Sequence, residues 1–553
     1  MVRMYYTKLL IWLTVWLLPM GTHATEPVAC DVLIYGATPA GIMAAIAASE
    51  NGQRTYLLAP NQIVGGVMTS GLCATDMNSS SLIGGYARKF FNRVYRHYEI
   101  PATWQAETRD EYFSRSVHRV YTGKNDALEM QWVFEPRVAK QIYDQMLAEA
   151  NVQVITHARL DLTKGVERSG NRIHKIRLES GQAFVAKVYI DATYEGDLMA
   201  QSGSEFIVGR ESNETYGEKF NGVHGKRMSE LYASSSGPVN VDPFVRPGHP
   251  SSGLLPFVAP HPPGVQGQAD RGVQAYCFRY TLTNNPTNRR SIERPSNFNP
   301  LWFEMLGRLC QANPEITLRS LMSMAPLPNQ KVDVNVSNMP GVNYGWANGD
   351  YTLRSELMQL HKDFALGKLY FLITDPRVPK AVRDELSTYG LPKDEYADND
   401  NFPYELYVRE ARRMVSEYVM TEHDELRSAT RTVADGIAVG SYAVDSHQVG
   451  YYVDELGELF VDGSLWQNAR RYPISYRSII PKQSQCVNLV VPVCVSSSHS
   501  AYGSIRMEPV FMVMGHSAGT AAALAIQREC SLQELPYTTL RAKLEAEGQI
   551  FID

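Results

Sequence analysis

The stretch Ile34–Pro60, IYGATPAGIMAAIAASENGQRTYLLAP, constrains this chain more than any other. CDVLIY (30–35) is a short apolar strand, 40–50 an alanine-rich helix, and RTYLLA (54–59) a second strand, together a parallel β-α-β unit. Gly36 permits a tight turn, and Gly41 lets the helix lie close to the sheet. The turn's backbone N–H groups, with Thr38, Pro39 and Ala40 at the helix start, offer a positive end to a pyrophosphate. Two positions depart from the G-x-G-x-x-G pattern. Thr38 replaces the middle glycine, and its hydroxyl could donate to phosphate instead. Ala59 ends the second strand where an acid normally accepts from the ribose hydroxyls, so looser ribose binding is expected unless Asn61 or Gln62 substitutes.

At 553 residues the chain is long enough for two or three domains. A net charge of −5 gives no support to nucleic-acid or anionic-membrane partners. Arg3 and Lys8 precede the apolar run Leu9–Met20, which is shorter than the ~20 residues of a spanning helix. THA (Thr22–Ala24) follows with small residues, so 1–24 read as a cleaved signal peptide and the protein as exported, periplasmic or secreted. No later stretch reads as a transmembrane span once the signal is removed. None of the seven cysteines forms C-x-x-C, which leaves zinc and iron–sulfur clusters without their usual spacing, and no metal is expected. Cys486 and Cys494 flank the strand-like VNLVVPV, too far apart to bridge, and read as buried thiols.

PRVAKQIYDQMLAEA (136–150) has helical spacing and leads into the strand VQVIT. NRIHKIRLESGQAFVAKVYIDAT reads as a hairpin turning at Ser180–Gly181, then a buried strand ending at Asp191. The middle of the chain is rich in proline, asparagine and aromatic residues, with helical patterns at YTLRSELMQLHKDFALGKLYFLI and LYVREARRMVSEYVM. Towards the C-terminus, SSSHSAYGSIRMEP reads as a loop and VFMVMGHSAGTAAALAIQR as a helix whose face Gly515, Ala518, Gly519 and Ala522 can approach a sheet or cofactor closely.

VGGVMTSGLCATDM (64–77) and IGGYARKFF (83–91) add two glycine doublets after the opening unit. With them, Asp31–Arg88 resembles the N-terminus of the FAD-dependent oxidoreductases of the glutathione-reductase-like flavoprotein group. More narrowly it resembles a secreted bacterial branch, some members of which carry labels linked to xanthan or other glycan breakdown. The resemblance continues through FEPRVAKQIYDQMLAEA, IDATYEGDLMA, VGRESNETYGE, LPNQKVDVN, YVREARRMV, YPISYRSIIPK and GSIRMEPVFMVMGHSAGTAAALA, nearly the whole mature chain. Thr38 fits the branch pattern, whereas Ala59 departs from the usual glutamate.

The resemblance implies an α/β fold: a Rossmann-like FAD-binding domain with a ββα-type parallel sheet and a β-meander, plus an inserted α+β substrate domain. The implied division is 25–210 for the first part of the FAD-binding domain, 211–440 for the substrate or cap domain, and 441–553 for the part completing the flavin site. FAD contacts are expected at Gly36, Thr38, Pro39, Ala40, Gly41, Ala59, Gly65, Gly66, Met68 and Thr69. Further contacts are expected at Asp191, Ala192, Gly196 and Asp197, and at Gly503, Ser504, Arg506 and Met507. In such flavoproteins the last helix points its positive end at the flavin N1/O2 edge, stabilising the anionic reduced form.

Flavin takes a hydride and a nearby base takes the proton when an alcohol or amine is oxidised. His499 is the first candidate for that base, and His447 with Asp445 the second. Arg477 and Arg506 are candidates to hold an anionic or polyhydroxylated substrate, or to neutralise reduced flavin. The resulting expectation is an exported FAD-dependent dehydrogenase or oxidase acting on a small hydroxylated, carbohydrate-derived molecule, with the electron acceptor left open. The alternatives are a flavoprotein-fold binding or accessory protein with weakened cofactor binding, or an NAD(P)-linked reductase.

Overall fold

The computed structural model describes residues 26–552 apart from 116–122, 232, 235–236, 261–263 and 336. The segment read as a signal peptide lies outside the described residues. Strands β1 (Val28–Tyr35), β2 (Thr55–Leu58) and β3 (Gln153–Ile155) pair in parallel, in the order β3-β2-β1. Strands β4 (Val166–Ser169), β5 (Arg172–Arg177) and β6 (Ala183–Asp191) form an antiparallel meander. Its last strand runs parallel to β1, pairing Tyr35 with Asp191. The sequence reading placed one hairpin here, at Ser180–Gly181; a second turns between β4 and β5 at Gly170. Of the expected strand VNLVVPV only Leu489–Val490 is paired, alongside Tyr189 and Ile190. Pro492 has no N–H to extend that ladder.

Helix α1 (Pro39–Glu50) starts where its sequence says it should. Thr38 is its N-cap, accepting from the Gly41 amide at 3.2 Å, and Pro39 occupies the first turn. The helix is buried almost throughout because it has cover on two sides: the parallel sheet and the long helix Glu508–Gln527. The close approach expected of Gly515 and Gly519 is to this helix. A Cβ at either would lie 2.1 Å from a backbone oxygen of α1, that of Ala40 or Ala44. That helix, Glu508–Gln527, is long and apolar enough to cross a membrane, contrary to the sequence expectation, and 89% of its apolar window is buried inside the protein.

The middle of the chain supplies α2 (Tyr351–Thr374), capped by Asp350 at the Leu353 amide (2.8 Å), as its pattern predicts. It also supplies an antiparallel sheet of Tyr280–Thr283, Lys331–Asn335 and Ser323–Leu327. A four-stranded sheet joins Gly225–Arg227 and Val258–Ala259 to Gly450–Val453 and Leu459–Asp462, so β-pairing crosses residue 440.

Two local expectations are corrected. LYVREARRMVSEYVM is not a helix; only Arg413–Met414 is a regular element, a two-residue strand paired with Phe206–Ile207. Arg409, Glu410, Arg412 and Arg413 are buried, mostly against distant partners, and those contacts outweigh its helical pattern. Conversely, the expected loop SSSHSAYGSIRMEP contains helix α3 (His499–Ile505), capped by Ser498 at the Ala501 amide, ahead of α4 (Glu508–Gln527). None of the seven cysteines is bridged, and Cys486 and Cys494 are both buried.

Candidate active site

The turn after β1 is built as its residue types require. Gly36 has φ +106°, and a Cβ there would lie 2.6 Å from the backbone of Ala192 and Thr193. Thr38 differs from the expectation: its hydroxyl proton is committed to Ala192 O at 2.7 Å, so this side chain locks β6 to the turn instead of reaching outward. Gly41 lies against Gly36 O and Ala192 Cβ. Gly65 N donates to Ala37 O (2.8 Å), placing the first glycine doublet on the turn, and Gly66 packs beside Thr38 and Tyr194. Met68 and Thr69 complete the short 3-10 turn Gly66–Thr69; the Met68 sulfur accepts from Tyr143 OH, and the Thr69 hydroxyl meets Val64 O and Gly66 O. The second doublet is elsewhere: Gly84 and Gly85 pack against Gly548, Gln549 and His516.

A cavity opens over this turn, at the C-terminal ends of β1 and β2, where open parallel sheets bind ligands. Its walls include Gly36, Ala37, Thr38, Asn61, Arg159, Thr193, Asp197 and Glu405, with Tyr351 and Arg354 at the start of α2. Asp191 is inward of the wall. It accepts from Thr193 (N and Oγ1) and Met199 N, and burial pushes its carboxyl up to about 6. Gly196 N donates to Thr193 Oγ1, and Asp197 is held by Arg354 (2.6 and 2.8 Å) and Arg412 (2.8 Å). Ala59 is fully buried, with both backbone groups used by Ile155 and Ala158.

Beyond the glycine doublet the chain passes through 71–76 to a second group of polar residues. Asp333 fixes that passage by accepting from the Cys73 and Ala74 amides, both at 3.0 Å, while Arg279 grips the same carboxylate at 2.8 and 2.6 Å. The strand β7 (Val444–Ser446) carries Asp445, with His447 just after it. His447 Nε2 lies 3.5 Å from Asp445 Oδ2, and Asn338 Nδ2 donates to His447 Nδ1 at 3.1 Å. This network places the imidazole proton on Nε2. Arg506 donates to Asp445 Oδ2 (3.1 Å) and O (2.8 Å) and to Tyr407 OH (3.1 Å), and Arg409 stacks on the Tyr407 ring.

His447 and Asp445 side chains keep 19% and 20% of their exposure, so both are partly accessible. Burial, reinforced by the Arg409 charge, pushes His447 down to about 4 and leaves it neutral at pH 7. Burial alone would raise the Asp445 carboxyl, yet His447, Arg506 and Arg409 hold it well below the usual carboxylate range. Beside this group Asn338 and Gln448 line a second cavity with Phe257, Trp302, Phe364 and Tyr451.

Of the other candidates, His499 is fully buried. Its Nδ1 meets Glu410 (2.8 and 3.0 Å) and its Nε2 meets Ser446 Oγ (3.3 Å), so it braces the strand carrying Asp445 from below. Gly503 packs on the Asp445 backbone, and Ser504 Oγ donates to Tyr442 O at 2.6 Å. Met507 is the N-cap of α4. The first residue of α4, Glu508, accepts from Tyr194 OH at 2.9 Å through one oxygen; the other is buried without a partner, and burial pushes the carboxyl up to about 8. Arg477 is not brought to either cavity just described. It pairs with Asp435 at 2.9 Å beside a different pocket that includes Glu417 and Tyr537.

Residues that the sequence did not single out complete both regions: Glu405 at the first, beside Asn61, and Arg409, Tyr407 and Asn338 at the second. YVREARRMV was noticed as a helical pattern and as part of a resemblance, and its arginine density was the available signal. Glu135, Asp394 and Glu395 lie close enough to suggest a cation site, but Lys331 Nζ meets all three at 2.7–2.8 Å and supplies the positive charge.

Comparison with known proteins places this architecture. Residues 31–544 match the family model described as FAD dependent oxidoreductase. No curated protein matches the chain. L-amino acid deaminase from Proteus vulgaris is similar over 34% of this chain and 53% of its own, at 16% identity and a TM-score of 0.23. OxyS anhydrotetracycline hydroxylase from Streptomyces rimosus shares 14% identity over 34% of this chain and 36% of its own, with a TM-score of 0.21. The chain thus spans about a third of the hydroxylase and about half of the deaminase. A mutant of PqsL from P. aeruginosa matches over 94% of this chain and 92% of its own, at 12% identity and a TM-score of 0.34. With the family model matching from β1 to beyond α4, the chain belongs to the FAD dependent oxidoreductase family.

Proposed function

We propose that this FAD-dependent oxidoreductase oxidises a small hydroxylated, carbohydrate-derived molecule at the Asp445–His447–Arg506 cluster, and that it does so as an exported protein. The observation that carries the reading is a neutral, reachable histidine, with a carboxylate behind one ring nitrogen and an aromatic cavity beyond the other's partner. The export proposal rests on the signal-like residues 1–24.

The residues present fit the cofactor. Gly36 lets the turn lie directly against the backbone of Ala192 and Thr193, its residues line the cavity, and the N-terminus of α1 favours a diphosphate. Gly36, Ala37 and Thr38 would hold that diphosphate, and the walls around Asn61 and Arg159 the adenosine. FAD, when bound, supplies a two-electron acceptor for a hydride from the substrate carbon.

The protein's own part is proton handling and orientation. A substrate hydroxyl that takes the place of Asn338 at His447 Nδ1 delivers its proton there, and the Nε2–H facing Asp445 stabilises the imidazolium that forms. Arg506, anchored by Asp445 and Tyr407, adds positive charge next to the oxygen as it loses its proton. Phe257, Trp302, Phe364 and Tyr451 offer flat apolar faces to the C–H surfaces of a sugar ring and keep water out, while Asn338 and Gln448 supply polar contacts.

Anaerobic mixing of the flavin-loaded protein with separate panels of sugars, hydroxy acids and amines tests the substrate class. Sugars or polyols are expected to bleach the visible flavin absorbance. Bleaching by amines alone would overturn the hydroxyl assignment.

A further inference from the structure

The end of β2 poses a question that the fold leaves open. In an ordinary unit of this kind an acid there accepts hydrogen bonds from the adenosine ribose hydroxyls. Here the residue is Ala59, fully buried and with its backbone fully used. We propose that Glu405, brought in from the distant segment Tyr404–Arg409, supplies the carboxylate that receives the ribose hydroxyls of FAD.

Placement is the first support. Glu405 lines the same cavity as Gly36, Ala37 and Thr38, on the wall that includes Pro60 and Asn61, the two residues after Ala59. Asn61 Nδ2 donates to Glu405 Oε1 at 2.8 Å, tying the carboxylate to the end of β2. Asn61 is itself fixed: its Oδ1 accepts from Ile63 N, and its backbone oxygen from His157 N, both at 2.8 Å. The side-chain amide that holds Glu405 is therefore preorganised.

Satisfaction is the second support. Among the described residues no arginine or lysine forms an ion pair with Glu405, and Asn61 is the donor found at its carboxylate. Asp197, on the same cavity, is held instead by two arginines. A carboxylate desolvated in a cleft without a cation is costly unless further donors reach it. Two vicinal ribose hydroxyls are such donors. Burial pushes the group up to about 7, so at neutral pH the free site holds a mixture of charged and neutral forms. Two hydroxyl donors would draw it to the charged form.

Connection is the third. Tyr407 and Arg409, in the same segment, reach the Asp445–Arg506 cluster, so one short stretch links the adenosine end of the site to the cleft. A glutamate at 59 would act at one end alone.

The test is equilibrium binding to flavin-free full-length protein, followed by flavin fluorescence, for wild type, Glu405→Ala and Glu405→Gln. Three probes are used: FAD, FAD lacking both adenosine-ribose hydroxyls, and FMN. Wild type is expected to bind the dideoxy analogue roughly 10- to 100-fold more weakly than FAD, in line with hydrogen bonds to a charged group. Glu405→Ala should bind FAD as weakly as wild type binds the analogue and should not distinguish the two, while its FMN affinity stays within about twofold of wild type. Wild-type FAD affinity should also fall as pH drops through about 7, a dependence that Glu405→Gln loses. The proposal is overturned if wild type does not distinguish FAD from the analogue, or if Glu405→Ala still does. It is equally overturned if Ala59→Glu tightens FAD while Glu405→Ala leaves its binding unchanged.

Discussion

Arg413→Ala is expected to destabilise the folded protein by about 3–5 kcal/mol, the cost of breaking a buried ion pair from one side. Arg413 is fully buried and donates to Glu410, to Glu211 Oε1 and Gly209 O at 2.8 Å, and to Ser497 O at 3.1 Å. Without the guanidinium, two carboxylates remain inside with only His499 and neutral donors between them. The Glu410 carboxyl shows the balance: burial would raise it, but His499 and Arg413 hold it down at about 2. The loss should reach the cleft as well, because Gln274 joins Glu410 (2.9 Å) to the His447 amide (3.1 Å). Urea unfolding followed by tryptophan fluorescence checks this. A large drop in midpoint is expected, and an unchanged midpoint would remove the network from the account of stability.

His447→Ala is expected to lower kcat/KM by roughly 10²–10⁴, the range for removing a general base, with FAD content and the flavin spectrum unchanged. In wild type the base works only as the neutral imidazole. Because burial and Arg409 depress its protonation to about pH 4, acidification from pH 8 to pH 5 should not switch it off. An acid limb due to this residue should begin only as pH falls through about 4. His499→Asn serves as the contrast. It should lower stability through the Glu410 network and reduce turnover only indirectly, since neither of its ring nitrogens is free to take a proton from substrate. A His447 variant that turns over at the wild-type rate would move the base elsewhere.

The parts of this site that could be read in advance are the local ones. A glycine, a threonine cap and a proline within four residues specify the turn before α1 whatever the rest of the chain does. The small-residue pattern of Gly515 and Gly519 similarly announces a close approach, though not its partner, which is α1. YVREARRMV failed as a helix because its periodicity is a local signal and its contacts are not. Arg409 answers to Ala275 and Cys277, Arg412 to Asp197, and Arg413 to Glu211. Glu405 was missed for the same reason: no spacing rule connects it to Ala59, and only the fold brings it to the end of β2. His499 and His447 looked alike as histidines near the C-terminal helices. Burial separates them, one sealed under the strand and the other partly exposed.

A crystal structure of the FAD-loaded full-length protein tests the central claim most directly. The diphosphate is expected at Ala37 and Thr38, at the start of α1, with the adenosine between Asn61 and Arg159 and the flavin beside Arg506 and His447. A diphosphate bound away from the Gly36–Thr38 turn, or a flavin out of reach of His447, would contradict it.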